Sequence, residues 1–214
     1  MNFHNINRVM SENPVIKSLF NEAMKRLKKS GYWQKACNDS SAHAPLWHQF
    51  PLLQHIDLTI AAAVEVFRQT GIDLVAILAL HDLGKIDPFI TYCQNDTPAN
   101  HRQYQNHEDS SAKIAAEYGF SPEVLFLLRW HDQAYSGITP ANLLKKCGGD
   151  KKRLTKLLLV FACDAAGKGW VPNQQKQRPQ IAAFIEEVCN FAGLPEHISR
   201  VASAIILRDQ PKAD

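Results

Sequence analysis

The sequence predicts an all-α fold. Apolar residues recur at i, i+3 and i+4 throughout, and no stretch alternates valine, isoleucine or threonine with polar residues over a strand's length. Neither an internal repeat nor a low-complexity tract breaks the pattern. A length of 214 residues suits one buried core better than two full domains. Hydrophobic residues at 45% and charged residues at 21% are ordinary for a globular protein.

Residues 13–29 read as a first amphipathic helix with a basic outer face. Residues 30–51 hold Gly31, Pro45 and many polar side chains, and are expected to form a long irregular connection. A second helix covers 52–70, where Gly71 stops it. Residues 72–83 are apolar nearly all round, the mark of a buried central helix, and Gly84 stands where a left-handed cap would end it. Residues 86–106 carry two prolines and three asparagines, a length and composition that suit a lid or binding loop. Helices follow at 107–118, 122–131, 140–147, 150–166, 180–192 and 195–207, with Ser121 as N-cap before Pro122. The chain thus divides into an N-terminal helical extension (1–50), a main domain (51–208) and a frayed tail (209–214).

Several classes are argued against. No run nears the roughly 18 apolar residues of a membrane helix, so no membrane partner is expected. The first residues lack the basic leader and apolar block of a signal peptide. Cys37, Cys93, Cys147, Cys163 and Cys189 are scattered, odd in number and never spaced CxxC, which points to a reduced, cytoplasmic setting without disulfides or a zinc ribbon. A net charge of +3 does not demand a nucleic acid and does not repel a phosphorylated small molecule. The basic clusters Lys25, Arg26, Lys28, Lys29 and Lys145, Lys146, Lys151, Lys152, Arg153 lack interleaved aromatics and read as solvated helix faces. His4, His43, His48, His101 and His197 have no supporting pattern and are expected at the surface or in packing.

The informative stretch is LALHDLGK, residues 78–85. Burying Asp82 at the end of an apolar helix costs several kcal/mol unless a cation or strong donors receive it. Adjacent helical residues point about 100° apart, so one ion beside the helix end is within reach of both His81 and Asp82. Asp164, in LLLVFACDAAG, poses the same problem on another apolar helix. His55 lies at the edge of the face formed by Leu52, Ile56, Ala63 and Phe67. Three helices would then deliver His55, His81, Asp82 and Asp164 to one interior point. Two imidazoles and two carboxylates suit Mn, Fe, Co, Ni or Zn better than Ca or Mg. The ordinary alternatives are a dipole-favoured helix-end pair for His81–Asp82, a hydrogen-bonded acid for Asp164 and a core histidine for His55.

The order H…HD…D, with HDLGK at its centre, resembles the HD superfamily of metal-dependent phosphohydrolases. Within it the match is nearest to the HD domain of bacterial tRNA nucleotidyltransferases. The resemblance spans His55 to Trp170 through QHID (54–57), ALHDLGK (79–85), NHEDSSAKIA (106–115), LLRWH (127–131) and the aspartate of CDAAGKGW. It implies a helical bundle with its metal in the core, and a phosphomonoesterase or phosphodiesterase dependent on one or two divalent ions. The chain lacks the nucleotidyltransferase part of those enzymes, so RNA terminal repair does not carry over, although an RNA terminus stays open as a partner. His107 and His131 extend the pattern to H…HD…H…H…D, with separations of 26, 26 and 24 residues from His55 onward. A second ion bridged by Asp82 would use these two, although each also stands at a helix end where histidine is common. Among HD relatives this arrangement occurs in dinuclear phosphodiesterases and in di-iron oxygenases.

The expected reaction is attack of a metal-bound hydroxide on a phosphoester of a nucleotide or nucleotide-like molecule. Asp82 and Lys85 carry the catalysis in this scheme. Lys85, Arg102, Arg129 and Lys168 are the candidates to hold the phosphate, and Asp132 or Glu108 the candidates to relay a proton. The competing readings are a di-iron oxygenase and a non-catalytic nucleotide sensor. Substrate, native metal and oligomeric state are left open by the sequence.

Overall fold

The computed structural model describes residues 21–38, 47–86 and 106–208. Among the described residues every regular element is helical. The α-helices are α1 (Asn21–Lys28), α2 (Gly31–Asn38), α3 (Leu52–Thr70), α4 (Val75–Leu80), α5 (His107–Glu117), α6 (Pro122–Trp130), α7 (Pro140–Lys146), α8 (Lys151–Gly167), α9 (Pro172–Ala192) and α10 (Glu196–Leu207). Two 3-10 turns, Leu83–Ile86 and Gln133–Tyr135, follow α4 and α6. No helix among these residues is long and apolar enough to cross a membrane.

The core is built around α8, which packs on α3 and α10 and is buried without a break from Leu157 to Gly167. Asp150 starts α8 by accepting hydrogen bonds from the backbone N–H groups of Lys152 and Arg153 at 2.8 and 3.1 Å. Helix α3 stops at Gly71, whose left-handed φ of 72° brings its N–H to the Phe67 carbonyl at 2.8 Å. Ser121 and Thr139 cap α6 and α7, each followed by proline at the first helical position. Cys147, Cys163 and Cys189 are free and buried.

Three elements depart from the sequence reading. First, the expected irregular connection at 30–51 contains α2. Ser30 Oγ caps it by accepting the N–H of Trp33 at 3.2 Å, and Trp33 and Ala36 enter the same core as Leu27. Second, the helix expected at 72–83 runs only from Val75 to Leu80, so His81 and Asp82 sit on a turn and Leu83–Ile86 winds as a 3-10 turn. Gly84 is not left-handed there. A Cβ on it would overlap the carbonyl oxygen of His107 and the backbone and hydroxyl of Ser111, so glycine serves a close approach to α5.

Third, α9 starts at Pro172 rather than at 180, with Pro179 in its interior. An interior proline removes a helix bond at a cost of about 3 kcal/mol. Packing offsets it here: the buried Arg178 stacks on Trp170 at 3.8 Å and donates to the Gly169 carbonyl at 3.0 Å. Residues 1–20, 39–46, 87–105 and 209–214 lie outside the described residues, and with them the start of the first helix, part of the expected 30–51 connection, the expected lid, Arg102 and the tail.

Candidate metal centre

Five segments converge on one buried point. His55 comes from α3, His81 and Asp82 from the turn after α4, His107 from the first position of α5, His131 and Asp132 from the end of α6, and Asp164 from the last turns of α8. His55, His81, Asp82, His131 and Asp164 are at most 1% exposed, and His107 is 4%. Ser111 locks α5 to the turn, donating to the His81 carbonyl at 2.6 Å while accepting the Gly84 N–H at 2.8 Å.

The imidazoles are aimed from behind. His81 Nδ1 donates to the Leu78 carbonyl and His131 Nδ1 to the Leu128 carbonyl, both at 2.7 Å and both three residues back. In the neutral ring, each bond selects the tautomer whose Nε2 lone pair faces the centre.

Two donor groups result, and Asp82 belongs to both. In the first, His55 Nε2 lies 3.0 Å from His81 Nε2, 3.2 Å from Asp82 Oδ2 and 3.2 Å from Asp164 Oδ1. His81 Nε2 lies 3.5 Å from Asp82 Oδ2 and 3.4 Å from Asp164 Oδ1. In the second, Asp82 Oδ1 is 3.2 Å from His107 Nε2 and 3.5 Å from His131 Nε2, which are 3.2 Å apart. Asp132 joins this group, with Oδ2 3.4 Å from His107 Nε2 and Oδ1 3.7 Å from His131 Nε2. Four ligands at about 2.0–2.2 Å around one ion have mutual separations of about 3.3–3.6 Å. The donor spacings fall close to that range, so these buried clusters could hold metal ions.

The charges explain why such burial is tolerated. Asp82 and Asp164 are held well below the usual carboxylate range: burial pushes them up, but His81, Lys85, His107 and His131 outweigh it at Asp82, and Lys168, His55 and His81 at Asp164. Burial likewise opposes the charged form of His131, yet Asp132 and Asp82 raise it to about 9. His55 is raised against its burial by Asp164 and Asp82, whereas burial wins at His81 and lowers it. Tyr135 is pushed well above its usual value by burial and by Asp164 and Asp132, so it stays a hydroxyl donor.

Lys85 and Lys168 lie at the centre, their Nζ atoms 2.6 Å from Asp82 Oδ2 and 2.8 Å from Asp164 Oδ2. Arg129 does not join them. It is half-exposed and faces Asp109 at 3.5 Å, because two helical residues before the inward His131 places it on the opposite side of α6. Glu108, expected as a relay candidate, has Oε2 3.4 Å from His107 Nδ1. Asp132 and Glu108 are 31% and 27% exposed, so the centre opens to solvent on their side.

Three residues were not singled out as site members by the sequence reading: Asp132 as a donor of the second group, Tyr135 and His48. Asp132 follows a histidine directly, as Asp82 does, and that repeated His–Asp pair was the available signal. Tyr135 had none, since only the 3-10 turn brings its hydroxyl to Asp164 at 2.7 Å. His48, expected at the surface or in packing, is buried and stands edge-on to His55 with ring centres 4.9 Å apart. No family model, curated protein or solved structure matches this chain.

Proposed function

We propose that this chain is a metal-dependent phosphohydrolase of the HD type, acting on a phosphoester of a nucleotide or nucleotide-like molecule. One observation carries the reading: the two oxygens of Asp82 are divided between two histidine pairs, Oδ2 toward His55 and His81, Oδ1 toward His107 and His131. A carboxylate shared in this way suits a pair of ions that clamps an in-line displacement at phosphorus.

Bound divalent ions would supply Lewis acidity and bring the pKa of a water toward neutrality. The chain's own groups do the rest. Asp82 sets the spacing of the two positions. Tyr135 and Lys168 occupy Asp164 Oδ2 and leave Oδ1 to the histidines. Lys85 and Lys168 are the cations nearest the carboxylates, the charge that a phosphate's non-bridging oxygens require as the transition state forms. Asp132 and Glu108, on the open side, would receive a proton from an incoming water and pass it to solvent. With neutral imidazoles, Asp82, Asp132, Asp164 and Glu108 exceed Lys85 and Lys168 by two charges. Two divalent ions would turn that into a net positive site for an anionic ester.

Protein reconstituted with manganese, nickel, cobalt, zinc or iron tests the proposal against phosphomonoesters, 2′,3′-cyclic nucleotides and RNA ends. Metal-dependent hydrolysis is expected, read as phosphate from a monoester or as the ring-opened monophosphate from a cyclic diester, and it disappears together with bound metal in Asp82→Ala. Loss of metal with undiminished hydrolysis would overturn it.

The four imidazoles and shared carboxylate also suit a di-iron oxygenase. Iron loading without oxygen, followed by oxygen exposure, separates the two readings. Oxygen uptake with a mixed-valent signal and no phosphoester hydrolysis in any metal form would favour the oxygenase.

A further inference from the structure

A further buried histidine, His48, stands beside the two donor groups. We propose that His48 is a further metal ligand at the first position, joining His55, His81, Asp82 and Asp164 so that this ion is held at five or six coordination. The inference rests on the metal-centre reading and not on the reaction carried out there.

A ring nitrogen of His48 lies within 4.8 Å of donor atoms of both His55 and Asp82. An octahedral ion with ligands at about 2.1 Å separates opposite ligands by about 4.2 Å and adjacent ones by about 3.0 Å. The close spacings within the first group suit adjacent ligands, and the grouping of His48 with His55 and Asp82 puts its ring beside that shell.

His48 is only 5% exposed, although it belongs to the irregular segment that leads into α3. That segment is anchored to the end of α8, the helix that supplies Asp164. Gln49 donates its N–H to the Lys168 carbonyl at 2.9 Å and accepts the Trp170 N–H at 3.1 Å. A Cβ on Gly169 would run into the Gln49 side chain, so the two segments approach closely there. Two ties therefore fix the backbone next to His48 against the residues flanking Asp164. An ordinary packing histidine needs no such registration.

The consequence is metal choice. Zinc settles readily in a four-ligand tetrahedral cage, whereas manganese, iron, cobalt and nickel accept six ligands. A fifth side chain at the first position disfavours zinc there.

Cobalt(II) loaded at both positions tests this without reference to activity. Each imidazole bound to cobalt contributes one strongly shifted, exchangeable ring N–H resonance to the proton NMR spectrum. Wild-type protein is expected to show five such signals, and His48→Gln four, with cobalt affinity at the first position weakened about tenfold or more. Four signals in the wild-type protein would overturn the assignment even if the variant failed to fold. So would a variant with unchanged signals and affinity. Failure of the wild-type protein to bind cobalt at all would instead sink the metal centre, and His48 with it.

Discussion

Tyr135 donates its hydroxyl to Asp164 Oδ2 at 2.7 Å, which turns the other oxygen, Oδ1, toward His55 and His81 at 3.2 and 3.4 Å. Lys168 reaches the same Oδ2 at 2.8 Å and lies over the tyrosine ring at 3.7 Å, so the two donors brace one another. Asp164 is thereby presented through one oxygen.

Removing that hydroxyl should loosen Asp164 without unfolding the helix that carries it. Tyr135→Phe is expected to weaken divalent metal binding about 10- to 100-fold, as loss of a group orienting a ligand does. Competition with a chromophoric chelator measures it. An affinity equal to that of the wild-type protein would show that Lys168 alone fixes Asp164.

Gly84 makes a prediction about stability. Its Cα sits against the His107 carbonyl and Ser111, so Gly84→Ala must push the Leu83–Ile86 turn away from α5. A loss of about 2–3 kcal/mol is expected from overpacking, read by urea unfolding of the metal-free protein. A change below about 0.5 kcal/mol would mean that the turn is free to move.

Much of this was readable in the residues themselves. Helix α3 follows from apolar spacing that runs to Gly71, and the burial of Asp82 and Asp164 follows from carboxylates set in apolar stretches of sequence. Other parts depend on contacts distant in sequence. Helix α2 is short and buries few side chains, Trp33 and Ala36 among them, too few to stand out as a periodic pattern. Pro179 hides the first two turns of α9, because the stacking of Arg178 on Trp170 that offsets it is a tertiary contact. The roles of Asp132, Tyr135 and His48 arise where helices end, and there helical periodicity says nothing about direction.

Asp57 predicts an unusual pH dependence. Burial raises its carboxyl to about 6 from the usual 3.8, against the pull of Lys28. A folded pKa above the unfolded one means that the folded state binds more protons between these values, so stability falls as pH rises through about 4–6. Asp57→Asn is therefore expected to raise stability at pH 7.5 by about 1–3 kcal/mol and to make little difference at pH 4. Thermal melts of both proteins at the two pH values decide it. A variant destabilised equally at both would show that the carboxylate makes a favourable contact.

Metal uptake should release protons. In the metal-free protein Asp132 and Asp82 hold His131 at about 9, above its ordinary 6.5, and His55 is raised as well. The folded-state benefit of a protonated His131 is complete below 6.5 and is lost as pH rises through 9. An ion needs the neutral imidazole, so apparent affinity is expected to climb with pH across that window. Calorimetry at pH 7.5 in buffers of differing ionisation heat reads the protons released. Binding heats independent of the buffer would argue that these histidines are not ligands.

The central claim is that one carboxylate, Asp82, joins two ions. Electron paramagnetic resonance of the manganese-loaded protein tests it most directly, together with metal content. Two manganese ions per chain with an exchange-coupled spectrum are predicted for the wild-type protein, and loss of the coupling in Asp82→Ala. A single ion, or two ions with the spectrum of isolated manganese, would contradict it.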